Sequence, residues 1–156
     1  MRIGSVLENQ QNEKRIAVTP ETAKKYISLG FDLILSKNYG SHLGIYDEEY
    51  LDLGVKFSSD EKEILNGSDI IVQVAMLPED KCSLFRESQT FIGALNPYSN
   101  KDYLENLAKK KINIFSLELL PRITRAQSMD ILSTQANLAG YKAVIESFAN
   151  FQKAIP

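Results

Sequence analysis

The sequence is short of the residues on which several kinds of site depend. Its one cysteine, Cys82, cannot close an internal disulfide, and its one histidine, His42, leaves no His/Cys cluster with zinc spacing. No structural metal is expected, and a reducing cytoplasm is compatible. No apolar run approaches the ~20 residues of a membrane helix, so no helical span is expected. With 18 Lys+Arg against 20 Asp+Glu and a net charge of -2, and no long basic run, there is no electrostatic footprint for nucleic acid. The opening MRIGSVLENQQNEKR turns polar after a few residues and lacks the apolar region and cleavage site of a signal peptide. Gly40, Gly44 and Gly54 are scattered, no GxGxxG follows a strand, and no P-loop is present. Nor are there two histidines or a Ser-His-Asp set to suggest a hydrolase.

What is present is an ordinary globular composition, 44% hydrophobic and 24% charged over 156 residues, enough for one domain with one core. Apolar runs read as strands at Ile3–Leu7, Phe31–Lys37, Asp69–Ala75, Phe91–Leu95 and Ile112–Leu119. Helices are expected between them. Thr19 and Pro20 start one that ends at Leu29 with Gly30 behind it; Asp47 caps a short one ending near Gly54; Ser58 and Glu61 are spaced as a capping box for Ser59–Leu65. At most a short helix fits Glu79–Phe85, and Ser99 opens Lys101–Lys110. Strands alternating with helices predict βαβ units. The expected fold is a Rossmann-like or flavodoxin-like three-layer α/β domain with a mostly parallel sheet and a long C-terminal helix.

One stretch stands out. Pro121–Gly140, PRITRAQSMDILSTQANLAG, sets Arg122, Thr124, Arg125, Gln127, Ser128, Asp130 and Ser133 within a dozen positions, after an apolar run that reads as a buried strand. Polar density where a strand gives way to a helix is where open α/β sheets bind ligands. Asp130 and Ser133 are i and i+3 on one helical face. Arg122 adds donors, and together the three can hold a carboxamide by its carbonyl and its NH2, a group that nicotinamide carries. The same spacing also fits a helix-start ion pair between Arg122 and Asp130 with Ser133 bonding back to its own helix. Arg15, in the loop after the first strand, can reach an anionic substrate at the same sheet edge. The last helix, about Met129 to Lys153, is apolar on two sides, Leu138, Tyr141, Ile145 and Phe148 opposing Leu132, Ala136, Ala139 and Ala143. A helix of this kind needs two partners, and with the Ile155-Pro156 end so close behind it the chain reads as a domain cut from something longer.

Two stretches, MRIGSVLENQQNEKRIAVTP and PRITRAQSMDILSTQANLAGYKAV, resemble the amino-terminal domain shared by alanine dehydrogenases and the alpha subunit of proton-translocating NAD(P) transhydrogenase. The likeness spans nearly the whole chain and favours the transhydrogenase branch. It implies that Arg122, Asp130 and Ser133 position the NAD(H) nicotinamide and that Gln127 reaches toward NADP(H) on a partner component. It further implies direct hydride transfer between NADH and NADP+, coupled to proton translocation by the complete enzyme, with no acid or base side chain required. NADP(H)-binding and membrane components are the implied partners. The chain is implied to be a homodimer at the cytoplasmic face of the membrane, peripheral and not inserted.

The alanine dehydrogenase branch looks to an Arg, a Lys and a His in this domain. Arg15 matches, but the Lys position holds Gln73, and the His position falls near Gly93 and Ala94 in FIGALNP. Arg15 and Gln73 are thus what remains of an oxo-acid pocket. In the family a second domain with GxGxxG completes the NAD(H) site; this chain lacks it and is expected to be inactive alone and to bind NADH weakly or not at all. The other readings are an alanine dehydrogenase-like fragment and a non-catalytic interaction module.

Overall fold

The computed structural model describes residues 1–153; the Ile155-Pro156 end lies outside them. The chain divides into two compact units, residues 1–116 and the stretch from Leu117 on. The first holds six strands, β1 (Arg2–Ser5), β2 (Asp32–Ser36), β3 (Lys56–Ser58), β4 (Ile70–Ala75), β5 (Thr90–Ala94) and β6 (Asn113–Ser116), in one sheet of order β3-β2-β1-β4-β5-β6. Every neighbouring pair is parallel. Strand order reverses between β1 and β4, the topological switch point of this sheet.

Side-chain alternation builds two cores from one sheet. Leu33 and Leu35 join Ile3, Val18, Ala23, Tyr39, Tyr50 and Val55. Ile34, between them in sequence, joins Ile64, Leu65, Ile71, Phe91, Leu95 and Leu107. Helices α1 (Pro20–Ser28) and α2 (Asp47–Leu51) supply the first group. The second draws on α3 (Glu61–Gly67), α4 (Glu79–Cys82) and α5 (Lys101–Lys109). Apolar strands covered on both faces give the continuous hydrophobic runs seen in the sequence.

Local signals explain most boundaries. Thr19 caps α1 by accepting from the Thr22 N–H, Pro20 opens it, and Gly30 at φ +85° turns the chain out. Elsewhere the caps differ from expectation. Asp47 is the first residue of α2 instead of its cap, and its carboxylate accepts from the Asn38 N–H at 2.9 Å. Asp60, not Ser58, caps α3 through the Lys62 N–H at 2.9 Å, while the Ser58 hydroxyl turns to Glu63. Asn100, not Ser99, precedes α5 and donates to the Leu95 carbonyl at 2.8 Å.

A sixth strand, β3, escapes the sequence pattern because three residues carry no period. The expected strand Ile112–Leu119 is shorter. β6 stops at Ser116 and Leu117–Leu119 form a 3-10 turn. β6 is not buried but lies at the sheet's edge, with Phe115 56% exposed.

From Leu117 on, the second unit has that turn, a 3-10 segment over Thr124–Met129 and α6 over Ile131–Asn150. α6 begins two residues later than its apolar pattern suggests, because Asp130 is extended at ψ 94° and caps it. No residue of α6 is buried.

Candidate functional site

Two polar clusters stand out, each built within one unit. The first lies at the switch point. β1 ends at Ser5 and β4 carries Gln73, whose side chain is 2% exposed. The Gln73 Oε1 accepts from the Ser5 hydroxyl at 2.9 Å and the Val6 N–H at 2.8 Å; its Nε2 donates to the Val6 carbonyl and to Glu8 Oε1, both at 3.1 Å. All four hydrogen-bonding positions of the amide are used. Because Ser5 gives its proton to Gln73, the Tyr39 hydroxyl must donate to Ser5 across 2.6 Å, and it in turn accepts from the Ala17 N–H. Burial pushes the Tyr39 phenol up to about 12.

A register shift in β4 between Val72 and Ala75 makes this arrangement possible. Such irregularities leave ladder groups unpaired and re-aim side chains. Here the Val74 N–H is given to Glu8 Oε1 at 2.6 Å. Gly93 of β5 lies opposite, where an added Cβ would come within 2.7 Å of the Gln73 carbonyl oxygen. Glu8 is 9% exposed, and burial raises its carboxyl above the ordinary range against the pull of the Val74 N–H. It lines a crevice of about 450 Å³ with Leu7, Asn12, Glu13, Met76 and Lys81.

Arg15 sits beside this crevice with its guanidinium clasped by Glu13, Nε to Oε1 at 2.8 Å and NH2 to Oε2 at 2.7 Å. That hydrogen-bonded pair lowers the Glu13 carboxyl and raises the Arg15 guanidinium. His42 ties the same loop down: its Nε2 lies 2.7 Å from the Lys14 carbonyl. Cys82 is buried, and burial pushes its thiol up to about 11.

The second cluster lies before α6. Arg122, Gln127, Asp130 and Ser133 line one cleft of about 330 Å³ with Ile123 and Thr124. Asp130 is held twice by one residue. The Ser133 N–H donates to Oδ1 at 3.0 Å and the Ser133 hydroxyl to Oδ2 at 2.6 Å. These bonds lower the Asp130 carboxyl below its usual value, with Arg122 contributing less. The Arg122 Nε lies 4.0 Å from Oδ2, an ion pair and not a hydrogen bond, and its side chain is 72% exposed. Ser133 therefore bonds to the capping carboxylate and not back to the helix; it is Thr134 that bonds to the Asp130 carbonyl. A carboxylate with lone pairs to spare beside a guanidinium suits a carboxamide, so the residues present fit the nicotinamide end of a dinucleotide. Among the described residues no group of three or more His, Cys, Asp or Glu can hold a metal ion, and no helix is long and apolar enough to cross a membrane.

Ser5, Glu8 and Tyr39 gave no sign in the sequence, since their partners lie 22 to 68 residues away. A glutamine inside an apolar strand was the one available signal.

The family described as alanine dehydrogenase/PNT, N-terminal domain matches residues 4–139. A chain from Rickettsia prowazekii that forms the first portion of an NAD(P) transhydrogenase alpha subunit is 41% identical over 100% of this chain and 42% of its own length. The crystal structure of a transhydrogenase from Sinorhizobium meliloti superposes with a TM-score of 0.88 at 36% identity, covering 99% of this chain and 46% of that one. An alanine dehydrogenase from Methanococcus maripaludis is more distant, 26% identical over 92% of this chain and 38% of its own. The chain spans under half the length of these relatives.

Proposed function

Since the chain belongs to the alanine dehydrogenase/PNT N-terminal domain family, we propose that it is the first domain of the NAD(H)-binding alpha subunit of a proton-translocating NAD(P) transhydrogenase. One observation carries the reading: the cleft that gathers Arg122, Gln127, Asp130 and Ser133. Asp130 accepts from the carboxamide NH2 of the NAD(H) nicotinamide, and Arg122 donates to its carbonyl. Ser133 keeps the carboxylate from turning away. Gln127 reaches toward NADP(H) on the partner component.

The two nicotinamides supply the hydride donor and acceptor. The protein's residues orient and hold; no side chain acts as acid or base. Orientation of this kind is worth ~7 to 11 kcal/mol of barrier. The rest of the NAD(H) site belongs to a GxGxxG domain, so residues 1–156 by themselves are expected to transfer no hydride. In the complete enzyme it is a peripheral domain of a homodimeric subunit on the cytoplasmic face, beside NADP(H)-binding and membrane components.

The test is hydride transfer from NADH to an NADP+ analogue by the full native product with its NADP(H)-binding partner. Arg122→Ala is expected to slow transfer by about 10²-fold, the usual cost of a misplaced reactant. NADH oxidation that requires pyruvate and ammonia would overturn the reading in favour of an amino acid dehydrogenase.

A further inference from the structure

The cleft before α6 is lined by one cation and one anion. Of its lining side chains Ile123, Thr124, Gln127 and Ser133 are neutral, leaving Arg122 and Asp130 as the charged pair. The two differ in freedom. Arg122 is 72% exposed, and at 4.0 Å no hydrogen bond joins it to Asp130, whose own side chain is only 17% exposed. Asp130 is fixed in orientation, because Ser133 takes one acceptor position on each of its oxygens and the Leu132 N–H draws weakly on the same group. Of the roughly four positions a carboxylate offers, a lone pair therefore remains for a ligand.

The bonds from Ser133, and less so the charge of Arg122, hold the Asp130 carboxyl below its usual range, so it stays ionised at neutral pH. An ionised acceptor that cannot turn away takes only a donor. A carboxamide on the nicotinamide ring gives it an N–H. A carboxylic acid at the same ring position is ionised at neutral pH, and sets a second negative charge within hydrogen-bonding distance. Two carboxylates so close cannot both stay charged, and one must take up a proton. Arg122 alone would have the opposite preference, since a guanidinium bonds a carboxylate more strongly than a neutral carbonyl. The two charges therefore pull the choice of ligand in opposite directions, and Asp130, the fixed one, decides it.

We propose, resting on the reading of this cleft as the nicotinamide site, that Asp130 makes it selective for the amide form of the dinucleotide over the form whose ring carries a carboxylic acid. Specificity here comes from a repulsive element as well as an attractive one. Ser133 acts through Asp130 by denying the carboxylate a rotation that would relieve the clash.

The test is calorimetric titration of the full native product with NAD+ and, separately, with the analogue that differs only in a carboxylate for the carboxamide. NAD+ is expected to bind more tightly by about tenfold or more. Asp130→Asn keeps a cap for α6 and an oxygen for the carboxamide, and adds an NH2 that donates to a carboxylate, so the preference is expected to shrink or reverse. Arg122→Gln is expected to widen it, because the acid form loses its counter-charge. Equal affinities in the wild type, a preference that Asp130→Asn leaves unchanged, or a narrower one in Arg122→Gln would each overturn the proposal. If Asp130→Asn does not fold, the wild type and Arg122→Gln decide. The two readings fail separately. Selective binding without hydride transfer to an NADP+ analogue would keep this inference and remove the transhydrogenase reading, whereas transfer from NADH with equal affinities would do the reverse. Failure of NAD+ to bind would overturn both.

Discussion

The two polar clusters are opposite solutions to the placing of charge. At the switch point Gln73, Ser5, Tyr39 and Glu8 are buried and use one another up, and the network joins β1 to β4. Before α6 the side chains of Arg122 and Gln127 are exposed, and only Asp130 is fixed, by a residue three positions along its own helix. The first cluster is part of the fold's stability. The second is carried by a local cap and can change without touching the core. Polar residues in a cleft therefore divide by what remains for a ligand after their neighbours are satisfied.

The sharpest way to break this contrast is Gln73→Leu. It leaves the Ser5 hydroxyl, both Val6 backbone groups and Glu8 short of partners, and is expected to cost about 3–5 kcal/mol in urea unfolding. Arg122→Ala, measured alongside, should stay within about 0.5 kcal/mol of wild type. Equal losses in the two variants would erase the distinction.

A smaller effect separates the clusters by pH. The Glu8 carboxyl is raised above 4.5 in the folded chain. The stability tied to it is complete below the unfolded value and is lost as pH rises through the folded one. Unfolding free energy should fall over that window in wild type and less so in Glu8→Gln. Asp130 is shifted the other way, below 3.8. Its contribution is present above the unfolded value and disappears as pH falls through the folded one. The smallest effect is local: Asp130→Ala should speed amide exchange at Ser133, Thr134 and the next turn of α6, leaving exchange in β1 and β4 unchanged.

What the sequence made legible was local. Thr19, Pro20 and Gly30 mark α1 because each acts within four residues of itself. The strand runs were readable because both faces of the sheet are covered. The polar stretch at Arg122–Ser133 could be found because its members are neighbours in the chain. Its capping role was obscured, since the apolar pattern of α6 continues upstream through Met129. The Gln73 network could not be read at all: Gln73 alone was visible, and its meaning depends on Ser5, Val6 and Glu8, 65 to 68 residues away. β3 was missed for the same reason, a three-residue strand defined only by its pairing with β2. Caps at Asp60 and Asn100 were displaced by one or two residues because several adjacent side chains could serve.

The position of β1 in the sheet sets the order in which the molecule can be completed during synthesis. β1 leaves the ribosome before the other strands and can pair with β2 once Asp32–Ser36 has emerged, but its other edge belongs to Ile70 and Ile71. Until those residues are made, the central strand of the finished sheet is an open edge, the kind of surface on which chains associate wrongly. Closing that edge and setting Glu8 in its bonds are one event, since the Gln73 and Val74 groups that hold it arrive on the same strand.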